Sequence, residues 1–179
     1  FIMENKLVEL FNIPNIKVEV DTIWLFNHIM KDNYFSAHLM IRLLAIRNYF
    51  NENDYGWKLY NKMQNERVAS NPLVPKYMAD HEEQFKELIE SMKQNSFDYN
   101  HPITINKDFM IVDGAHRLAT ALYFGLEKVP VTITKKSYYD EVRDYSIDWF
   151  KEHNLNDCVE PALSEYTRIR KVYGDKNGK

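Results

Sequence analysis

The stretch Ile111-Val112-Asp113-Gly114-Ala115-His116-Arg117-Leu118-Ala119-Thr120-Ala121 decides how this chain is read. An apolar, β-branched pair delivers an acidic residue. Gly114 then allows a backbone angle that other residues avoid, and a helix opens with His116 and Arg117 in its first turn. The first amides of a helix have no partner within it and carry the positive end of its dipole. Cationic side chains are unfavourable there unless an anion sits in front of them. Asp113 would face that same anion, which is repulsive unless a divalent cation lies between them. Phosphates with magnesium satisfy all four residues together. The competing reading is plain: Asp-Gly before a helix is a common turn and cap, and an exposed His-Arg pair costs little.

Elements on either side of this turn fall into place around it. Ile103-Thr104-Ile105 and Phe109-Met110-Ile111-Val112, joined by a Lys107-Asp108 corner, predict a β-hairpin. The helix from Ala115 to Phe124 closes on Gly125, and Val129-Pro130-Val131-Thr132-Ile133 predicts a further strand. Upstream, Asp80 is a suitable cap for a helix carrying Phe85, Leu88, Ile89 and Met92 at helical spacing. Asn71-Pro72 and Val74-Pro75 break any helix before it.

Residues 1–66 read as mainly helical. Glu4 to Phe11 is a short amphipathic segment, and Ile16-Lys17-Val18-Glu19-Val20 alternates like a strand. Asp21 or Thr22 can cap the segment that follows. A run from Ser36 to Phe50 is apolar almost all round, which predicts burial on several sides. His38 and Arg42 are i, i+4 neighbours on it; they mark either an acceptor pocket or the solvent-facing stripe. Asp54 begins another helix, with Trp57, Leu59, Tyr60 and Met63. Residues 136–179 return to helix, from Tyr138 to Phe150 and from Pro161 to Tyr173.

Composition bounds the function classes. The 179 residues are 45% hydrophobic, 27% charged and 14% aromatic, with 5 Gly and 6 Pro, which describes a folded chain of one core with room for an appended subdomain. A formal charge of -3 argues against a protein that lives on nucleic acid. One cysteine, Cys158, excludes a disulfide framework or a multi-cysteine zinc site and makes a reducing cytoplasm the expected compartment. Apolar runs such as Leu43-Leu44-Ala45-Ile46 are too short to span a membrane, and Phe1-Ile2-Met3-Glu4 does not open a signal peptide.

Val112 to Ala121, followed by Gly125-Leu126 and Val129-Pro130-Val131, closely resembles the ParB/sulfiredoxin superfamily. The Phe85-Lys86-Glu87-Leu88-Ile89-Glu90-Ser91-Met92 helix and the His101-Pro102-Ile103 entry to the hairpin look like the same family's upstream elements. The resemblance covers residues 67–135. It implies an α/β fold in which a core with a small mixed sheet is wrapped by additional N- and C-terminal helices, the last of them in 136–179. It also implies nucleotide phosphates at the basic turn. Sulfiredoxins place a catalytic Cys just before the His-Arg pair, where this chain has Ala115. ParB segregation proteins carry Gly-Glu-Arg-Arg at the turn and continue into a DNA-binding domain. The free serine kinases and similar small-molecule kinases use Asp-Gly-x-His-Arg, which residues 113–117 match.

The resemblance therefore implies a nucleotide-dependent kinase acting on a hydroxyl of a small metabolite, an amino acid or sugar-like compound. ATP or ADP, with CTP as a further option, and magnesium would be its cofactors. Gly114, Ala115, His116 and Arg117 would hold the phosphates, joined by Lys76 from the proline-rich loop. Asp113 would hold magnesium or orient the acceptor hydroxyl. The general base in the resembling kinases is a Glu ahead of the upstream helix; Glu66 and Glu82 are the candidates, with Glu66 preferred. The alternatives are a nucleotide-binding regulatory or DNA-associated protein without transfer and, more remotely, a nuclease.

Overall fold

Four strands make one sheet in the order β1-β4-β2-β3: β1 (Lys17–Asp21), β2 (Ile103–Asn106), β3 (Ile111–Asp113) and β4 (Lys128–Thr134). The computed structural model describes residues 16–30, 35–71, 81–106, 110–134 and 145–174. The expected Glu4–Phe11 segment, the proline-rich loop with Lys76, the Asp80 cap, the Lys107-Asp108 corner and residues 138–144 lie outside those residues. The helix expected over Tyr138–Phe150 starts only at Ile147, where the Ser146 side chain caps it by accepting from the Trp149 amide.

β2 and β3 form the expected antiparallel hairpin, with a register shift between Thr104 and Ile105. β4 runs parallel to β2, from Ile103↔Val131 to Asn106↔Thr134. On its other side it pairs antiparallel with β1, Val18 opposite Val131. The sheet is therefore mixed, and one of its strands comes from the region read as mainly helical. Pro130 sits in an inner strand, where proline is rarely tolerated. It escapes the penalty because it precedes the stretch paired with β2 and has only Glu19 of β1 as its partner.

Seven helices complete the described structure: α1 (Thr22–Ile29), α2 (Ala37–Tyr49), α3 (Gly56–Ser70), α4 (His81–Asn95), α5 (Ala115–Tyr123), α6 (Ile147–Glu152) and α7 (Asn156–Gly174). The Asp21 side chain caps α1, accepting from the Trp24 amide at 2.7 Å. α2 is the central helix, packed against α3, α5 and α7. Every residue from Ala37 to Ile46 is buried, each large apolar side chain contributing roughly 2 kcal/mol. His38 and Arg42 are buried with the rest, so α2 has no solvent-facing stripe at that level.

The entry to α3 differs from the expectation. Asp54 does not start it; Asn53 does the capping, its Oδ1 accepting from the amides of Tyr55 (3.1 Å) and Gly56 (2.8 Å). Gly56 is needed for closeness, since a Cβ there would lie 2.0 Å from the Leu44 carbonyl oxygen on α2. α5 ends one residue earlier than read, with Gly125 at φ 66° and the Leu126 amide bonded back to the Ala121 carbonyl at 3.0 Å. α7 starts at Asn156, ahead of Pro161, which lies inside its early turns.

Candidate functional site

β3 carries Asp113 to the sheet end, and Gly114 turns the chain into α5 with φ 97°. A Cβ on Gly114 would meet Ile103 Cα at 3.1 Å and Arg117 Nη2 at 3.0 Å, so both angle and space require glycine. No side chain caps α5. Its first helical bond runs from the Leu118 amide to the Gly114 carbonyl at 2.9 Å. The amides of Ala115, His116 and Arg117 precede it and point out of the helix end. Beside them opens a cleft of about 210 Å³, lined by His81, Gln84, Phe85, Leu88, Asp113, Gly114, His116 and Arg117. That is below the ~300–1,000 Å³ that encloses a whole drug-sized ligand, and suits the phosphate-bearing part of one.

The basic pair does not act as two cations. Arg117 Nη2 donates to Asp113 Oδ2 at 2.7 Å, an i, i+4 ion pair, and to the Pro102 carbonyl at 3.3 Å. Its Nε is buried without a hydrogen-bond partner. The clash expected between Arg117 and the helix dipole is thus partly answered within the chain, by Asp113. His116 is set edge-on to Phe85, ring centroids 4.6 Å apart. Its Nε2 shares a 2.8 Å hydrogen bond with the Tyr60 hydroxyl. Removal from water holds its imidazole well below the usual pKa, helped by the positive field of Arg42 and Arg67. His116 is therefore neutral, and the charge that the sequence reading gave it is absent. It can still hydrogen-bond a ligand.

His81, at the start of α4, is likewise neutral: burial, then Arg67 and Arg42, push its pKa down to about 4. Burial raises the Tyr60 phenol to about 12, so it stays protonated. Behind Tyr60 the network continues into the helical layer. Gln64 Nε2 lies 3.4 Å from the Tyr60 hydroxyl, and Gln64 Oε1 accepts from Arg42 Nη2 at 3.4 Å and from Arg67 Nη1.

The structure brings Asp113, Gly114, His116 and Arg117 to one cleft, with Ala115 at the same helix end. It does not bring the two glutamates there. Glu66 is on α3 and is not among the cleft-lining residues. Glu82 on α4 accepts from Asn61 and pairs with Lys86 at 2.7 Å. Burial alone would raise its carboxyl, but those hydrogen bonds outweigh it and hold it below the ordinary value, which weakens it as a base. Lys76 lies outside the described residues. His81, Gln84, Phe85 and Leu88 were not read as cleft residues, although their i, i+3, i+4, i+7 spacing marks one face of α4. That face serves the core at its C-terminal end and the cleft at its N-terminal end.

Among the described residues no group of three or more His, Cys, Asp or Glu side chains converges to hold a metal, and no helix is long and apolar enough to cross a membrane. Cys158 is buried on α7, its thiol pushed up to about 12 by burial and by Asp157. A thiol held so is not a nucleophile.

The family model of the ParB N-terminal domain matches residues 52–148. No curated protein and no solved structure gives a significant match.

Proposed function

The chain belongs to the ParB N-terminal domain family, and from that premise we propose that its cleft receives the phosphates of a nucleotide and that the protein transfers a phosphoryl group to a hydroxyl of a small metabolite, amino acid or sugar-like. The observation that carries this reading is the uncapped start of α5 beside the buried, unpartnered Nε of Arg117. Donors without acceptors, at the positive end of a helix and in a concave site, suit an oxyanion.

In this reading the amides of Ala115 to Arg117 and the Arg117 guanidinium bind phosphate oxygens of ATP, ADP or CTP, and neutral His116 adds a hydrogen bond. Lys76 is assigned to the phosphates as well. Asp113 is the single carboxylate of the described cleft lining. One carboxylate suits magnesium, which keeps several waters and takes its remaining ligands from phosphate, and which would supply charge neutralisation. Asp113 also holds Arg117 in place. Glu66 stands outside that lining, so its assignment as proton acceptor requires the acceptor hydroxyl to extend beyond the cleft toward α3. The regulatory alternative, nucleotide binding without transfer, is favoured by one fact: that lining contains no carboxylate besides the one already paired to Arg117.

Thermal unfolding with ATP, ADP or CTP, with and without magnesium, tests binding. Phosphorus NMR with serine-like and sugar acceptors tests transfer. We expect a nucleotide-dependent rise in Tm that Gly114→Ala and Arg117→Met abolish, and transfer that Asp113→Asn and Glu66→Gln each lower by about 100-fold or more. No Tm response to any nucleotide would overturn both readings. A response without transfer to any acceptor would leave the regulatory one.

A further inference from the structure

Behind the cleft, two guanidinium groups meet at one neutral oxygen. Arg42 is 1% exposed. Its Nη1 donates to the His38 carbonyl at 2.9 Å and its Nη2 reaches Gln64 Oε1. Arg67 Nη1 donates to the same Gln64 oxygen, and its guanidinium lies 4.5 Å over the Tyr145 ring. The Nε atoms of both arginines are buried with no hydrogen-bond partner, as is His81 Nε2. Among the described residues neither arginine has a carboxylate partner. Burial together with the neighbouring Arg67 charge lowers the Arg42 pKa to about 9.

Buried charge is normally paired, because an uncompensated ion in low dielectric costs far more than an amide oxygen returns. Here two like charges share one amide oxygen, and the buried Nε of each finds no acceptor among the described residues. Gln84, Phe85 and the tip of α5 form the cleft in front, so this cluster is a separate feature; His81 borders both.

We propose that the Arg42–Arg67 pair, with Gln64 and His81, is a second anion-binding site, which takes the carboxylate or phosphate group of a small molecule. Arg67 is the more exposed of the two, and the Tyr145 ring lies against its guanidinium. The site stands whether or not the cleft in front of it binds a nucleotide.

The test is thermal unfolding of the whole chain in sodium phosphate, sodium malonate and sodium chloride at equal ionic strength. Phosphate or malonate is expected to raise Tm by roughly 3 °C or more over chloride; which of them does so assigns the anion as phosphate or carboxylate. The rise should persist in Arg117→Met and vanish in Arg67→Met. Gln64→Glu puts a carboxylate between the two guanidiniums. It should raise Tm in chloride and remove the response to added anion. No anion effect on the wild type, an effect that survives Arg67→Met, or a Gln64→Glu protein less stable than wild type would each overturn the proposal. Loss of the rise in Arg117→Met alone would place the anion in the cleft, overturning this site while supporting the first.

Discussion

His81 and His116 line the cleft as neutral rings, held so by burial next to arginines. The consequence for stability has a definite sign. Unfolded, His81 titrates near its ordinary value of 6.5; folded, it resists protonation down to about 4. As pH falls below the unfolded value, the unfolded chain gains a proton that the folded chain refuses. Stability is therefore complete above that value and declines toward the folded pKa, by about 2 kcal/mol for this ring between pH 7 and pH 5. Urea unfolding of His81→Gln at those two pH values should show a smaller loss than wild type. An equal loss would mean that His81 is not held neutral. At this scale the sequence was legible where spacing speaks and illegible where burial does. The i, i+4 spacing of Asp113 and Arg117 already announced their ion pair, although the residues were read as facing a common anion. The residues around Arg42 left it open between a pocket and the solvent-facing stripe, because a cation on an apolar helix ordinarily marks the wet side.

Among the elements, the hairpin, α5 with its glycine stop, and β4 were readable because each is punctuated by residues with one mechanical meaning: Gly114, Gly125, Pro130. β1 was readable as a strand, but its place beside β4 was not, since strand pairing across the chain leaves no local signal. The entry to α3 was misread for a related reason. Asp54 and Asn53 are both good caps by type, and the choice is made by α2, whose Leu44 carbonyl accepts from the Asn53 side chain at 3.0 Å. The same contact makes Gly56 sensitive. With a Cβ 2.0 Å from that carbonyl oxygen, Gly56→Ala must push α3 off α2. It should cost upward of about 3 kcal/mol in chemical denaturation. A loss below 1 kcal/mol would mean that the two helices are not packed this closely.

For the molecule as a whole, α7 is fastened across the helical layer by two ion pairs of different worth. Arg47 on α2 binds Glu165 of α7 at 2.8 Å and Glu52 at 2.6 Å, and lies over the Tyr123 ring of α5. The Glu165 side chain is only 3% exposed. Arg47→Ala leaves that carboxylate with Arg168 Nε at 3.2 Å as its remaining cation, and should cost about 2 kcal/mol, much of it recovered when Glu165→Gln is added. The Lys62–Asp157 pair is of similar length, 2.7 Å, but open to water. Lys62→Ala should change stability by less than about 0.5 kcal/mol. Equal effects from the two single variants would contradict the burial that separates them.

The pairing of β1 with β4 also sets an order of events during synthesis. β1 leaves the ribosome well before its partner: Val131, opposite Val18, is made more than a hundred residues later. Until then β1 has no edge to join, and the hairpin of β2 and β3 has no parallel neighbour. A sheet that closes through so distant a contact forms slowly. While it waits, the Val18 and Val20 strand is open to a chaperone, or to the same strand of another nascent chain.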